Sequence, residues 1–187
     1  MIGERASEVS GTMTAHAERE LTVEHWLLSA ARDAETARAE WASHGVALLR
    51  CGSTFSAIRI SASVVHQAAG TETPEAVAAC LNAALEGEPA FLDRYAKRYY
   101  LLTSRSAGTL GWCLPNTERL GFGGYVGVPS VRIRQSGVTR AHWVVPVESP
   151  GTLCRPEFVV RLGIAGGILG ARSTVSARLT PLEESRA

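Results

Sequence analysis

The sequence predicts an α+β (mixed α/β) fold in which helices flank a largely antiparallel sheet. Apolar residues recur with the period of amphipathic helices in some segments and form short runs of strand length in others, and the predicted strands come in adjacent groups between helices. The chain has 187 residues, of which 45% are hydrophobic and 20% charged, a composition that can bury the core of one domain. We therefore expect one domain over residues 16–171, a flexible tail over residues 1–15 and a polar tail over residues 172–187.

The first half of this domain is predicted to contain three helices and two strands. A helix is expected from Glu18 to about Ser43, because its apolar residues recur with a period near 3.6 and His44-Gly45 is a typical helix end. Thr73-Pro74 is a typical helix start. Apolar runs between glycines set the other boundaries, giving strands over residues 46–50 and 54–60 and helices over residues 62–69 and 73–86.

The second half is predicted to contain three strands and a final helix. A loop is expected over residues 104–116, and Ser136-Gly137 is expected to form a hairpin turn between two strands. Pro146 favours an edge position for the returning strand, because proline lacks the N–H that a central strand needs. The predicted elements are strands over residues 98–103, 120–128 and 142–147 and a glycine-containing helix over residues 155–171 that depends on tertiary contacts.

Charge and cysteine spacing exclude several classes of protein. Nineteen basic residues against 18 acidic ones give a net charge of +1, which excludes binding of polyanions through overall charge but leaves a local basic patch open. The four cysteines have no C-x-x-C spacing, which argues against a zinc ribbon or a thioredoxin-like site. The N-terminal residues lack the apolar segment of a signal peptide, and no apolar run reaches 18 residues. We expect a cytoplasmic protein with reduced thiols, no membrane association and no cofactor.

The most unusual segment is the glycine cluster over residues 121–130, Gly-Phe-Gly-Gly-Tyr-Val-Gly-Val-Pro-Ser. It is not a P-loop, because no Gly-Lys-Ser/Thr follows, and it is not a dinucleotide-binding fingerprint, because a strand and not a helix follows. Two interpretations stay open. The glycines either form a tight β-turn with a bulge, or let the backbone approach a ligand or a neighbouring strand closely.

This segment carries a resemblance to a known family. The run that ends at Ser130, followed by Ser136-Gly137 and by Trp143-Val-Val-Pro146, resembles the N-terminal domain of bifunctional primase-polymerases of the archaeo-eukaryotic primase superfamily. The stretch from Cys51 to Ala62 is similar to a segment of actinobacterial members, and the similarity in order and spacing covers roughly residues 40–170. The resemblance implies a primase-polymerase-like α+β fold and a role in DNA replication.

The chain departs from this family at the residues that carry its chemistry. Family polymerases hold two divalent ions with a pair of acids on an early strand. Here Ser56 stands where an acid is expected, with Arg59 nearby, and Arg132 stands where the family's second motif has histidine. Glu148 is the only acid near the returning strand. Without paired carboxylates there is no hard-oxygen site for magnesium, so we expect no polymerase activity and no metal.

The central region is locally basic. Between residues 94 and 140 there are eight basic residues and a single acid, Glu118, and tyrosines are interleaved with the basic residues. Basic side chains with aromatic rings are typical of single-stranded nucleic-acid binding, and an arginine pairs with phosphate through two parallel hydrogen bonds. The candidate residues for binding nucleotide or nucleic acid are Arg59, Arg98, Tyr125, Ser130, Arg132 and Arg134.

The sequence thus leaves three hypotheses. The first is a catalytically degenerate primase-polymerase-like domain that binds nucleotide or single-stranded DNA in a groove lined by arginines. The second is a protein-interaction or regulatory module that reuses the fold and binds no nucleic acid. The third, an active nucleotidyl transferase, would need displaced acids such as Asp93 and Glu118, which the sequence places in loop or helix-end contexts far from the matching strands.

Overall fold

The computed structural model describes residues 3–105, 116–134 and 139–178, with side chains over residues 14–105, 116–134 and 139–167. Within these ranges the chain forms five helices and seven strands, which confirms the predicted α+β class. In chain order they are α1 (Gly3–Leu28), α2 (Ala34–His44), β1 (Val46–Arg50), β2 (Ser56–Ser61), α3 (Ala62–Ala69), α4 (Pro74–Ala84), β3 (Ala90–Asp93), β4 (Arg98–Thr103), β5 (Thr117–Leu120), β6 (Tyr125–Pro129), β7 (Ala141–Val145) and α5 (Pro156–Arg178).

The strands form two separate sheets. Five of them are ordered β5-β2-β4-β3-β7, and every neighbouring pair is antiparallel. The other two, β1 and β6, pair antiparallel as a two-stranded ribbon. Strand β7, which Pro146 follows directly, lies at an edge of the five-stranded sheet, as the proline predicts.

The two faces of the five-stranded sheet bury different cores. Alternation along β2 shows the division, because Ile58 and Ile60 contact one core whereas Ala57 contacts the other. Helices α3, α4 and α5 cover the first face, and the core there includes Val64, Val65, Leu81, Leu101, Val145 and Val159. The ribbon, α1 and α2 cover part of the second face, and the core there includes Leu27, Trp41, Ala47, Phe91, Leu102, Val128 and Trp143.

Two tryptophans fix the ribbon between α2 and the five-stranded sheet. The indole N–H of Trp41 donates to the carbonyl of Val128 at 2.9 Å, and that of Trp143 donates to the carbonyl of Pro129 at 3.1 Å. Both bonds are buried, so the strand β6 is held from two sides by side chains of α2 and β7.

The helical ends differ from the sequence prediction. Helix α1 begins at Gly3, so residues 3–15, expected to be a tail because they are small and polar without an apolar period, are helical. The helix expected from Glu18 to Ser43 is two helices, because the Asp33 carboxylate accepts the N–H of Thr36 at 2.8 Å and starts α2. Helix α5 extends to Arg178, beyond the expected end at residue 171, because no glycine or proline interrupts residues 172–178.

None of the helices in the described part of the chain combines the length and the apolar character needed to cross a membrane.

The sequence analysis missed two strands and mispaired two others. Strands β3 and β5 have four residues each, too few for a visible alternation, and only their pairing with β4, β7 and β2 identifies them. The expected hairpin is wrong, because β6 pairs with β1 and β7 pairs with β3. Its turn residues, Ser136-Gly137, lie outside the described residues.

Candidate functional site

A cleft of about 570 Å³ lies between the ribbon and the exposed part of the five-stranded sheet. We call it the inter-sheet cleft. Its floor comes from β2, β3, β4 and the residue before β7, and its walls come from the ribbon and from α2. The polar and aromatic residues that line it are Glu40, His44, Arg59, Asp93, Tyr100, Tyr125 and Arg140.

The sheet register places Arg59 at the floor of the cleft. Arg59 in β2 lies directly opposite Tyr100 in β4 and Glu118 in β5, and directly paired residues project to the same face. The ring of Tyr100 stacks on Phe91 of β3, with centroids 5.0 Å apart and planes 7° from parallel. One face of Tyr100 is therefore covered by the core, and its ring is held in place beside Arg59.

An ion pair with Glu118 orients the Arg59 guanidinium. Arg59 Nε donates to Glu118 Oε2 at 3.0 Å, and its Nη2 donates to the same oxygen. These hydrogen bonds raise the pKa of Arg59 above its usual value, so the group is charged at every physiological pH. The Arg59 side chain is 39% exposed, which leaves part of the guanidinium open to the cleft.

A second arginine lies at the other end of the floor. Arg140 Nε donates to Asp93 Oδ2 at 3.2 Å, while the other carboxylate oxygen of Asp93 accepts the N–H groups of Tyr95 and Ala96 at 3.0 and 2.9 Å. Asp93 is thereby fixed by backbone donors independently of Arg140. The Arg140 side chain remains 59% exposed, so most of its hydrogen-bonding capacity faces solvent.

The ribbon supplies an aromatic and apolar wall. Tyr125 of β6 is 44% exposed and Leu48 of β1 is 54% exposed, and both line the cleft. The outer edge of β1 is anchored to α2, because the Leu48 N–H donates to the Glu40 carboxylate at 2.8 Å. The inter-sheet cleft thus combines two partly exposed guanidinium groups with an exposed phenol ring that can accept a stacked aromatic ligand.

The glycine cluster forms a tight turn beside this cleft. Gly123 has φ 83°, and the Gly124 N–H donates to the Gly121 carbonyl at 2.9 Å. The turn packs closely on the chain after β1, since a Cβ on Gly52 would lie 2.5 Å from the Cα of Phe122. Both interpretations of the glycines are met in part: the cluster forms a tight turn, and Gly127 lets β6 approach β1, since a Cβ there would lie 3.0 Å from a methyl group of Val46. The turn exposes the Phe122 side chain by 90%.

The structure brings three of the six predicted binding residues together. Arg59 and Tyr125 line the inter-sheet cleft. Arg98, two residues before Tyr100 and on the same face of β4, shares a smaller adjoining depression of about 140 Å³ with Arg59 and Glu118.

The other three predicted residues lie elsewhere, which corrects the expected groove. The Ser130 N–H donates to the Gly45 carbonyl at 2.9 Å as the chain leaves β6. Beyond this point the chain runs along α1, where Arg132 and Arg134 each lie 3.7 Å from the Glu20 carboxylate and Arg134 also pairs with Glu148 at 3.2 Å. Neither the inter-sheet cleft nor the adjoining depression, both of which contain Arg59, is lined by Ser130, Arg132 or Arg134.

The acids and Ser56 also occupy positions that the sequence did not predict. Ser56 is fully buried and shares a sheet face with Ile58, so it points away from the cleft. Asp93 and Glu118 belong to strands β3 and β5, not to loop or helix ends. Among the described residues, no group of three or more histidines, cysteines or acids has the geometry to hold a metal ion.

Sequence reasoning missed Tyr100 and Arg140 as cleft residues. The place of Tyr100 follows from the pairing of β4 with β2. Arg140 reaches the cleft through Asp93, at the end of a strand that was not predicted. The local sequence carries no signal for either position, because both depend on pairing between distant strands.

No family model, curated protein sequence or solved structure matches this chain. The resemblance to primase-polymerase domains therefore stays a prediction. The function has to be argued from the geometry of the inter-sheet cleft.

Proposed function

We propose that this chain is a non-catalytic, primase-polymerase-like domain that binds a nucleotide, free or within single-stranded DNA, in the inter-sheet cleft. The observation that carries the proposal is the position of Arg59, Arg140 and Tyr125 around one cleft of about 570 Å³. Two guanidinium groups fit the phosphates, and the phenol ring fits a stacked base. The resemblance to primase-polymerase domains adds a role in DNA replication to this proposal.

The non-catalytic part of the proposal rests on the carboxylates at the cleft. Glu118 is bound by Arg59, and Asp93 is bound by Arg140 and by two backbone N–H groups. In addition, β2 and β4 lie between the strands of Glu118 and Asp93, three strand spacings of about 4.8 Å, whereas a two-ion centre for nucleotidyl transfer needs carboxylates that converge on the ions.

Binding by the unmodified protein tests the proposal. A fluorescein-labelled dT oligomer of about 12 nucleotides should bind at about 50 mM salt with micromolar affinity, and the affinity should fall steeply as salt is raised. Competition with ATP and with inorganic tripolyphosphate separates base stacking from charge alone, since ATP should compete more strongly. Absence of binding to both the oligomer and ATP at low salt would overturn the proposal, as would equal competition by tripolyphosphate.

Replacing Glu118 should strengthen binding. The variant Glu118→Gln frees the Arg59 guanidinium from its ion pair and removes a negative charge beside the site, so we expect about two- to fivefold tighter binding of the oligomer, the range that an exposed ion pair permits. Glu86→Gln is the control, because Glu86 is likewise an exposed acid paired with an arginine, Arg155, and lies outside the inter-sheet cleft. Weaker binding by Glu118→Gln would mean that this ion pair positions Arg59 for the ligand and does not compete with it.

A protein-interaction module is the alternative, and a specific surface favours it. Phe122, Tyr125 and Leu48 are large apolar or aromatic side chains exposed by 90%, 44% and 54%. They belong to the glycine turn and the ribbon, and exposed side chains of this kind are typical of contact surfaces. This alternative predicts that neither oligomer nor nucleotide binds at low salt.

A further inference from the structure

A second cleft, of about 550 Å³, lies on the helix-covered face of the five-stranded sheet. We call it the helix-side cleft. Strands β3, β4 and β7 form its floor, while α3, α4 and the chain after β6 form its walls. The side chains that matter to the argument are His66, Glu72, Arg94, Tyr99, Arg134 and His142.

The His142 ring lines this cleft and has a buried nitrogen without a hydrogen-bond partner in the described part of the chain. Leu92 in β3 is paired with Tyr99 on one side and with His142 on the other, so the three side chains form a row across the floor. His142 is only 6% exposed, and its Nδ1 atom is buried without a hydrogen-bond partner among the described residues. A buried polar atom of this kind is unfavourable, and a ligand in the cleft would supply the missing partner.

Two arginines face the same space. The Trp143 N–H donates to the Ile133 carbonyl at 2.8 Å, which brings Arg134 next to His142. The terminal nitrogens of Arg134 pair with Glu20 and Glu148, but its Nε atom is buried without a partner in the described part of the chain. Arg94 follows β3 directly, and its positive charge acts on the His142 ring.

One acidic group of the cleft, Glu72, is engaged on the α3 side. Glu72 lies 3.7 Å from His66 Nδ1, and His66 Nε2 lies 3.4 Å from the Tyr99 hydroxyl. Burial raises the pKa of Tyr99 to about 12, so this hydroxyl keeps its proton. Glu75 of α4 also lines the cleft. The arginine side, which holds both unpartnered nitrogens, is therefore the side suited to an anion.

We propose that the helix-side cleft binds a small molecule through a carboxylate or phosphate group, which accepts hydrogen bonds from His142 Nδ1, Arg134 and Arg94. Burial and then the charge of Arg94 lower the pKa of His142. An anion between these groups offsets the Arg94 charge and pairs with the ring. Binding should therefore raise the pKa of His142, and the ring should take up a proton as the anion binds near neutral pH.

A histidine NMR titration tests this proposal. The ring resonances, assigned with a His142→Gln variant, are followed between about pH 5 and 8 with sodium chloride, sodium phosphate or sodium acetate at matched ionic strength. We expect phosphate, acetate or both to raise the pKa of His142 by about one unit relative to chloride. A response to one anion alone identifies the preferred group. An unchanged pKa of His142 with both anions at about 20 mM would overturn the proposal.

An Arg94→Gln variant separates binding from a general salt effect. Without the Arg94 charge, the pKa of His142 should be higher in chloride and should lose most of its response to the added anion. His25→Gln is the matched control, because His25 is exposed on α1 and lines neither cleft, and it should leave the response intact. A full anion response in Arg94→Gln would contradict the assignment of the site.

Discussion

A Gly166→Ala variant is expected to unfold at a lower temperature than the unmodified protein, by about 4–8 °C. Gly166 lies in α5 where this helix packs on α3, and a Cβ there would clash with the carbonyl oxygen of Val64. Since that oxygen belongs to the backbone, the two helices have to move apart. We expect the clash to exceed the helix-propensity gain of alanine, with a net loss of about 2 kcal/mol in the free energy of unfolding.

The adjacent glycine provides a matched control. A Cβ on Gly167 meets nothing within 4 Å, so Gly167→Ala should keep the packing and gain up to about 1 kcal/mol from reduced freedom of the unfolded chain. Urea unfolding monitored by circular dichroism measures both variants. Equal stabilities of the two variants would show that α5 does not depend on close contact with α3.

This contact illustrates what the sequence can and cannot predict about the fold. The glycines of α5 indicate a helix that needs tertiary support, but they do not indicate which partner provides it. The structure assigns that role to α3, through Gly166 and Val64. Two elements bounded by glycine, strand β1 and helix α3, have the expected limits, whereas the strand expected over residues 120–128 is confined to Tyr125–Pro129. The ends of β1 and α3 are set by local backbone preferences, which a single sequence carries.

The parts that were missed depend on contacts between distant residues. Strand β5 has an irregular burial pattern and contains Glu118 and Arg119, so only its pairing with β2 makes it a strand. The candidate site was predicted only in part for the same reason. The resemblance to primase-polymerase domains and the local basic region group Arg59 with Arg132 and Arg134, but the chain after β6 carries these last two to α1. Arg140 joins Arg59 only because β3 ends at Asp93 beside β7.

Because Arg59 and Arg140 line the inter-sheet cleft, replacing both of them is the test of the binding site that has the largest expected effect. The double variant Arg59→Gln with Arg140→Gln should bind a dT oligomer about 30-fold more weakly at low salt, because each lost guanidinium removes one charge-assisted hydrogen bond to phosphate. The slope of log affinity against log salt should become shallower by about 1.4, since a single-stranded contact contributes about 0.7. Fluorescence anisotropy at several salt concentrations measures both quantities.

The double variant should remain folded, which makes its loss of binding interpretable. Glu118 is 54% exposed and stays hydrated without Arg59, and Asp93 keeps the two backbone N–H groups that it accepts from Tyr95 and Ala96. Arg132→Gln removes a charge that is 66% exposed on the α1 side, away from the cleft, and should change the affinity by less than about twofold. If Arg132→Gln weakens binding as much as the double variant does, the oligomer is held by diffuse surface charge. The inter-sheet cleft is then not the binding site, because a site built from Arg59 and Arg140 has to respond to those two side chains far more than to an equally charged one elsewhere.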